Sequence, residues 1–126
     1  MNVIIDTSVW IEFFKGKNQE TVTKVKRLIE NERTVLCGIV LSELIAGIRR
    51  QKDEHIVIDA LDALPYIETS RQSWILAGRI ARELSAKGKK IPLTDLIVAA
   101  IAIENDCEIF TFDTHFDMVT KCKRFS

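Results

Sequence analysis

Between Pro92 and Asn105 the chain reads Leu-Thr-Asp and then Leu96-Ile97-Val98-Ala99-Ala100-Ile101-Ala102-Ile103 without a polar interruption. A helix over about Thr94–Glu104 is apolar on nearly every side, and such a helix has to be buried rather than laid on a surface. The run is far shorter than the ~20 residues that cross a bilayer, so its cover must be other parts of the protein. Val3-Ile4-Ile5 and the segment Glu108–Phe112 are short continuous apolar runs of the kind that buried parallel strands show. Val35–Cys37 and Tyr66–Glu68 are weaker strand candidates.

Helical periods lie between these strands. Val22, Val25, Leu28 and Ile29 form one stripe, Val40, Leu41, Leu44, Ile45 and Ile48 a second, and Val57, Ala60, Leu61 and Leu64 a third. Trp74, Ala77, Gly78, Ala81 and Leu84 form a fourth. Thr69 with Gln72 reads as a capping box that starts this fourth helix, Lys87-Gly88 as its stop, and Pro92 as the start of the buried helix. Strands alternating with helices predict an α/β fold, a central parallel sheet flanked by α-helices with right-handed crossovers. With 126 residues, 47% hydrophobic and 29% charged, and no repeat or linker composition, the chain is read as a single domain over residues 1–126, and disorder is excluded.

Three cysteines, Cys37, Cys107 and Cys122, form no CxxC pair and suit a reducing compartment as structural thiols. The chain shows no signal-peptide pattern and no membrane span, so a cytoplasmic protein is expected. Lys plus Arg and Asp plus Glu are both 18. That balance excludes attraction of a nucleic acid by overall charge and leaves only local patches to do it.

Ligands of open parallel sheets bind at the carboxyl ends of the strands, and acids stand there. Asp6 follows the first strand, Asp113 follows the strand ending near Phe112, and Asp95 lies in the first turn of the buried helix. Glu43 shares a helix face with Ile39 and Gly47 and points toward apolar or small neighbours. Each has an ordinary explanation. Asp6, Asp95 and Asp113 suit helix caps, and Glu43 suits an ion pair with Arg49 or Arg79. If the four gather, each pair of charges ~4 Å apart costs about 4 kcal/mol at an effective dielectric of ~20. Such a group needs a counter-ion, and oxygen-only ligands select Mg²⁺ or Mn²⁺ over zinc. Carboxylate-held divalent ions support phosphodiester hydrolysis.

The segments Asp6-Thr7-Ser8-Val9-Trp10-Ile11, Ser42-Glu43-Leu44-Ile45-Ala46-Gly47, Leu93-Thr94-Asp95-Leu96-Ile97-Val98-Ala99-Ala100 and Thr111-Phe112-Asp113-Thr114-His115-Phe116 resemble, in order and spacing, the motifs of PIN-domain ribonucleases. The nearest likeness is to VapC toxins of toxin–antitoxin pairs, and it spans the chain from Asp6 to Phe116. The resemblance implies a PIN-like domain with Asp6, Glu43, Asp95 and Asp113 as catalytic and metal-binding residues around Mg²⁺ or Mn²⁺. It implies hydrolysis of RNA to a 5′-phosphate and a 3′-hydroxyl, inhibition by a VapB-like antitoxin whose tail blocks the site, and a homodimer.

Ser8 and Thr111 match hydroxyl positions that hydrogen-bond near the acids in that family. Asp117 reads as part of a Thr114-x-x-Asp117 capping box, and His115 is left out of an all-oxygen site. Asn105-Asp106 stands where many relatives have a glycine, and Asn105 tolerates a left-handed helix end. Basic clusters at Lys87, Lys89 and Lys90, at Arg49, Arg50 and Lys52, and at Lys121, Lys123 and Arg124 neighbour the acids and offer sequence-blind phosphate contacts. Trp10, Phe13 and Phe14 are assigned to the core, with a groove for an antitoxin helix as the other reading. The competing readings are a catalytically inactive PIN-like module that binds RNA or protein and a phosphorylated-aspartate enzyme. Retention of all four acids argues against the first. Ser8, where phosphatases of the second kind carry an aspartate, argues against the other.

Overall fold

The computed structural model describes all of residues 1–126. In chain order the elements are β1 (Val3–Ile5), α1 (Thr7–Lys15), α2 (Gln19–Glu30), β2 (Thr34–Cys37), α3 (Gly38–Ala46), α4 (Gln51–Asp62), β3 (Tyr66–Ile67), α5 (Arg71–Ala86), α6 (Leu93–Glu104), β4 (Glu108–Phe110), a 3₁₀ turn (Thr114–Met118) and β5 (Lys123–Arg124). The strands form one parallel sheet in the order β3-β2-β1-β4-β5. β1 lies at its centre, with Ile4 beside Val35 on one flank and Ile109 on the other, and all three of its residues are buried.

The chain lays strands outward on one side of β1, then crosses to the other side to place β4. The break between β1 and β4 is thus the topological switch point, where open parallel sheets bind ligands at their carboxyl ends. Every α6 residue from Leu96 to Ala102 is buried, as a helix without a polar face requires.

Several local expectations change. The stripe expected on α5 included Trp74, which is 51% exposed, while Ser73 and Ala77 are buried. α5 packs along α6, whose buried face carries Ala99, Ala100 and Ala102. The inward positions of α5 beside Trp74 are thus taken by the small Ser73 and Ala77, and the indole turns to solvent. The cap of α5 is Ser70, whose Oγ accepts from the Ser73 backbone N–H at 3.1 Å, and the Thr69–Gln72 box does not form. Ile48 and Leu64 lie just beyond the ends of α3 and α4, and the strand expected to reach Phe112 ends at Phe110. Past α6 the left-handed residue is Asp106, at φ 52°, and Asn105 instead donates its side-chain amide to the Ile101 carbonyl at 2.8 Å. The short α1 carries Trp10 into the core at 1% exposure, stacked on Phe14 and edge-on to Phe13.

No helix is long and apolar enough to cross a membrane. Burial pushes all three thiols up, Cys122 to about 11, which leaves them poor nucleophiles at neutral pH.

Candidate active site

Asp6 ends β1 and begins α1, yet its carboxylate caps nothing. It is buried, and its Oδ2 accepts two hydroxyls, Thr111 Oγ1 at 2.8 Å and Ser8 Oγ at 3.0 Å. Both hydroxyls also tie the backbone that follows β4. Thr111 Oγ1 accepts from the Asp113 N–H at 2.9 Å, and Ser8 Oγ accepts from the Phe112 N–H at 3.3 Å. The ends of β1 and β4 are thereby stitched together through one carboxylate.

Asp95 sits in the first turn of α6 and makes no capping bond; α6 begins at Pro92 without a side-chain cap. Burial first, then the charges of Asp6 and Asp113, hold its carboxyl above the ordinary carboxylate range. The His115 imidazole pulls it down, and Glu43 adds a further push upward. Three other sequence-expected acids therefore act on Asp95, and the fold brings all four together. Asp113 does serve as a cap, since its Oδ1 accepts from the His115 N–H at 2.9 Å and starts the 3₁₀ turn. Glu43, on α3, is half-buried and makes no ion pair with Arg49 or Arg79. Its Oε1 accepts from Thr7 Oγ1 at 2.9 Å.

Two residues enter that the sequence reading left out. Thr7 holds Glu43, and its position inside Asp6-Thr7-Ser8 was the available signal. His115 was excluded, yet its Nδ1 lies 3.0 Å from Asp113 Oδ1 and 3.6 Å from Asp95 Oδ2. That nitrogen is buried, and neither contact completes a well-formed hydrogen bond. One ligand atom each from Asp95, Asp113 and His115 all lie within 4.8 Å of one another.

Asp117 neither caps the turn nor joins the cluster. Both its oxygens accept from Arg124 Nη1 at 3.0 Å, while Arg124 Nη2 donates to the Thr111 carbonyl at 2.9 Å. Of the basic clusters, Arg50 is paired with Asp53 and Lys123 with Asp106. Arg49 and the lysines at 87, 89 and 90 have no ion-pair partner, and Arg49 lines a cleft of about 510 Å³ that also reaches Glu43. The sides of this cleft come from α1, α3 and α4, with Ile11, Phe14, Ile48 and Ile56 supplying apolar surface.

A family model described as "PIN domain" matches residues 3–121. The chain is 33% identical over 101 residues to ribonuclease VapC3 of Methanocaldococcus jannaschii, covering 80% of this chain and 98% of that protein. It is 26% identical over 124 residues to VapC ribonuclease Mb1587 of Mycobacterium bovis, covering 94% and 92%. Among solved structures, VapBC2 of Rickettsia felis bound to a promoter DNA fragment is similar at TM-score 0.85 and 21% identity, covering 99% of this chain and 98% of that one. VapBC-1 of nontypeable Haemophilus influenzae is similar at TM-score 0.84 and 23% identity, covering 100% and 98%.

Proposed function

The chain belongs to the PIN-domain family, among relatives of the VapC ribonucleases, and from that premise we propose that it is a divalent-metal-dependent endoribonuclease, the toxin of a VapBC-type pair. The observation that carries the reading is the set of four acids at the switch point of the sheet with no lysine or arginine paired to any of them. Carboxylates held together without a compensating charge fit a hard cation, and the orphaned Nδ1 of His115 beside them fits one as well. Asp6, Glu43, Asp95 and Asp113 would hold Mg²⁺ or Mn²⁺. A bound divalent ion lowers the pKa of water and stabilises negative charge on phosphate oxygens during hydrolysis.

The chain's own contribution is positional. Ser8 and Thr111 donate to the same Asp6 oxygen, fix its rotamer and leave Oδ1 free. Thr7 does the same for Glu43 by occupying Oε1. Arg124 anchors the Thr111 carbonyl and so holds the turn that presents Asp113. Arg49, free of any ion pair at the rim of the cleft beside Glu43, supplies a cation for an incoming RNA phosphate. The same cleft suits an antitoxin segment with apolar anchors, so a partner seated there also covers the approach to Glu43. A homodimer belongs to the same proposal, with the exposed Trp74 and Ile75 of α5 as apolar surface for it.

An RNA cleavage assay on antitoxin-free protein tests the reading. The parent cuts with Mg²⁺ or Mn²⁺, EDTA abolishes cutting, and Asp6→Ala or Asp95→Ala lowers it by at least about 100-fold. Absence of cutting under any divalent metal, or variants as active as the parent, overturns it in favour of a non-catalytic binding module.

A further inference from the structure

We propose that His115 is a direct nitrogen ligand, through Nδ1, of the divalent ion held at Asp95 and Asp113, and that it makes this site prefer Mn²⁺ to Mg²⁺. The inference rests on the metal-site reading above and adds to its all-carboxylate set a residue of a different donor class.

The first support is the state of the nitrogen itself. Nδ1 of His115 is buried and unpartnered although two carboxylates stand within 4 Å of it. Buried polar atoms are nearly always satisfied, and a ring nitrogen so placed has two ways to be satisfied, a proton aimed at an acceptor or a cation on its lone pair. The contacts at 3.0 Å and 3.6 Å leave the first incomplete. The second is supported by spacing: adjacent ligands of an octahedral ion with bonds of about 2.1 Å are about 3 Å apart, and Nδ1 lies 3.0 Å from Asp113 Oδ1. The three donor atoms fall within 4.8 Å of one another, a compass that one ion can bridge.

The ring is also held in place. The His115 N–H is bonded to Asp113 Oδ1, and the next side chain, Phe116, is 4% exposed and anchors the turn in the core. The rest of the imidazole reaches solvent, with the side chain 42% exposed. Water is therefore available to the second ring nitrogen, as is usual for ligating histidines. Imidazole is a poor partner for Mg²⁺ and a good one for first-row transition ions. One nitrogen among oxygens therefore shifts preference toward Mn²⁺ without excluding Mg²⁺.

Pulsed EPR of the full-length protein loaded with Mn²⁺ tests this without reference to activity. The parent shows a directly coordinated ¹⁴N, and His115→Gln loses it. The chain's other histidine, His55, lies on α4 beside Asp59, so a coupling that survives in His115→Gln comes from elsewhere and overturns the proposal. Calorimetric titration gives a second readout: His115→Gln weakens Mn²⁺ binding by about tenfold or more and Mg²⁺ binding by less than about threefold. Mn²⁺ bound without nitrogen coupling, or equal losses for both ions, removes His115 from the ligand set and leaves the carboxylate site standing. Failure of the parent to bind either ion removes the metal site with it.

Discussion

The two ends of the same parallel strands treat charge in opposite ways. At the amino end of β1, β2 and β4, Glu108 and Asp106 each have a base of their own. Arg33 binds Glu108 at 3.0 Å while donating to the Met1 carbonyl at 2.8 Å, and Lys123 binds Asp106 at 2.8 Å. At the carboxyl end, Asp6, Glu43, Asp95 and Asp113 are held by hydroxyls and a histidine, with no lysine or arginine paired to them. The titration behaviour follows. Pairing with Lys123 holds the Asp106 carboxyl below its ordinary range, while burial and like charges hold Asp95 above it. The ion pairs at one end are made within the chain, while the acids at the other have no lysine or arginine partner in it. Stability is built at the first end and given up at the second, the usual relation between a scaffold and its site.

The largest expected effect that sharpens this contrast comes from Asp95→Asn. RNA cleavage falls by at least about 100-fold, yet the metal-free protein melts higher, by roughly 2 to 6 °C, because a half-buried, repelled charge is gone. A lower melting temperature would mean that Asp95 is a structural acid like Glu108. Mg²⁺ or Mn²⁺ raises the melting temperature of the parent and leaves that of Asp95→Asn nearly unmoved, as scanning calorimetry with and without EDTA will show.

At the opposite end, Arg33→Ala strips Glu108 of its partner. It lowers stability by about 1 kcal/mol once the partial exposure of the pair is allowed for, and cleavage by the folded protein stays at the parental rate. A loss of activity without a loss of stability would break the division between the two ends.

The smallest effect is in pH. Because the folded state raises the Asp95 pKa above 3.8, its protonated form is the stabilising one. That contribution is full below 3.8 and is lost as pH rises through the folded value. The metal-free melting difference between Asp95→Asn and the parent is therefore widest near neutral pH and closes as pH falls through the folded pKa. For Asp106, lowered in the fold, the sign is reversed. Its contribution is present above 3.8 and is lost only as pH falls through the lowered value, so Asp106→Asn differs least from the parent in acid.

The sequence made the centre of the molecule legible because burial writes itself in consecutive residues. Val3–Ile5 and Leu96–Ala102 have no polar face to show and lie where nothing else could. The acids at their ends were legible for the same reason, since a charge directly after a buried strand marks the edge of the sheet. β5 left no such trace. Lys123 and Arg124 are exposed, and they form a strand only because β4 offers an open edge. Trp74 misled because the inward position beside it belongs to Ser73, a polar residue that an apolar stripe passes over. His115 was missed because donor chemistry was judged from the acids alone, whereas the turn after Asp113 folds the imidazole back onto them over two residues. The Glu43–Thr7 bond joins residues far apart in sequence, α3 to α1, and no local pattern announces it.

The stitch between Asp6, Thr111 and Ser8 spans nearly the whole chain, from the end of β1 to the end of β4. During synthesis the first strand waits, without the Thr111 bond to its aspartate, until the segment after α6 arrives. An unfinished polypeptide therefore has no assembled acid cluster, since Asp95 and Asp113 are added long after Asp6 and Glu43. The order in which the sheet is filled is also the order in which the site can form.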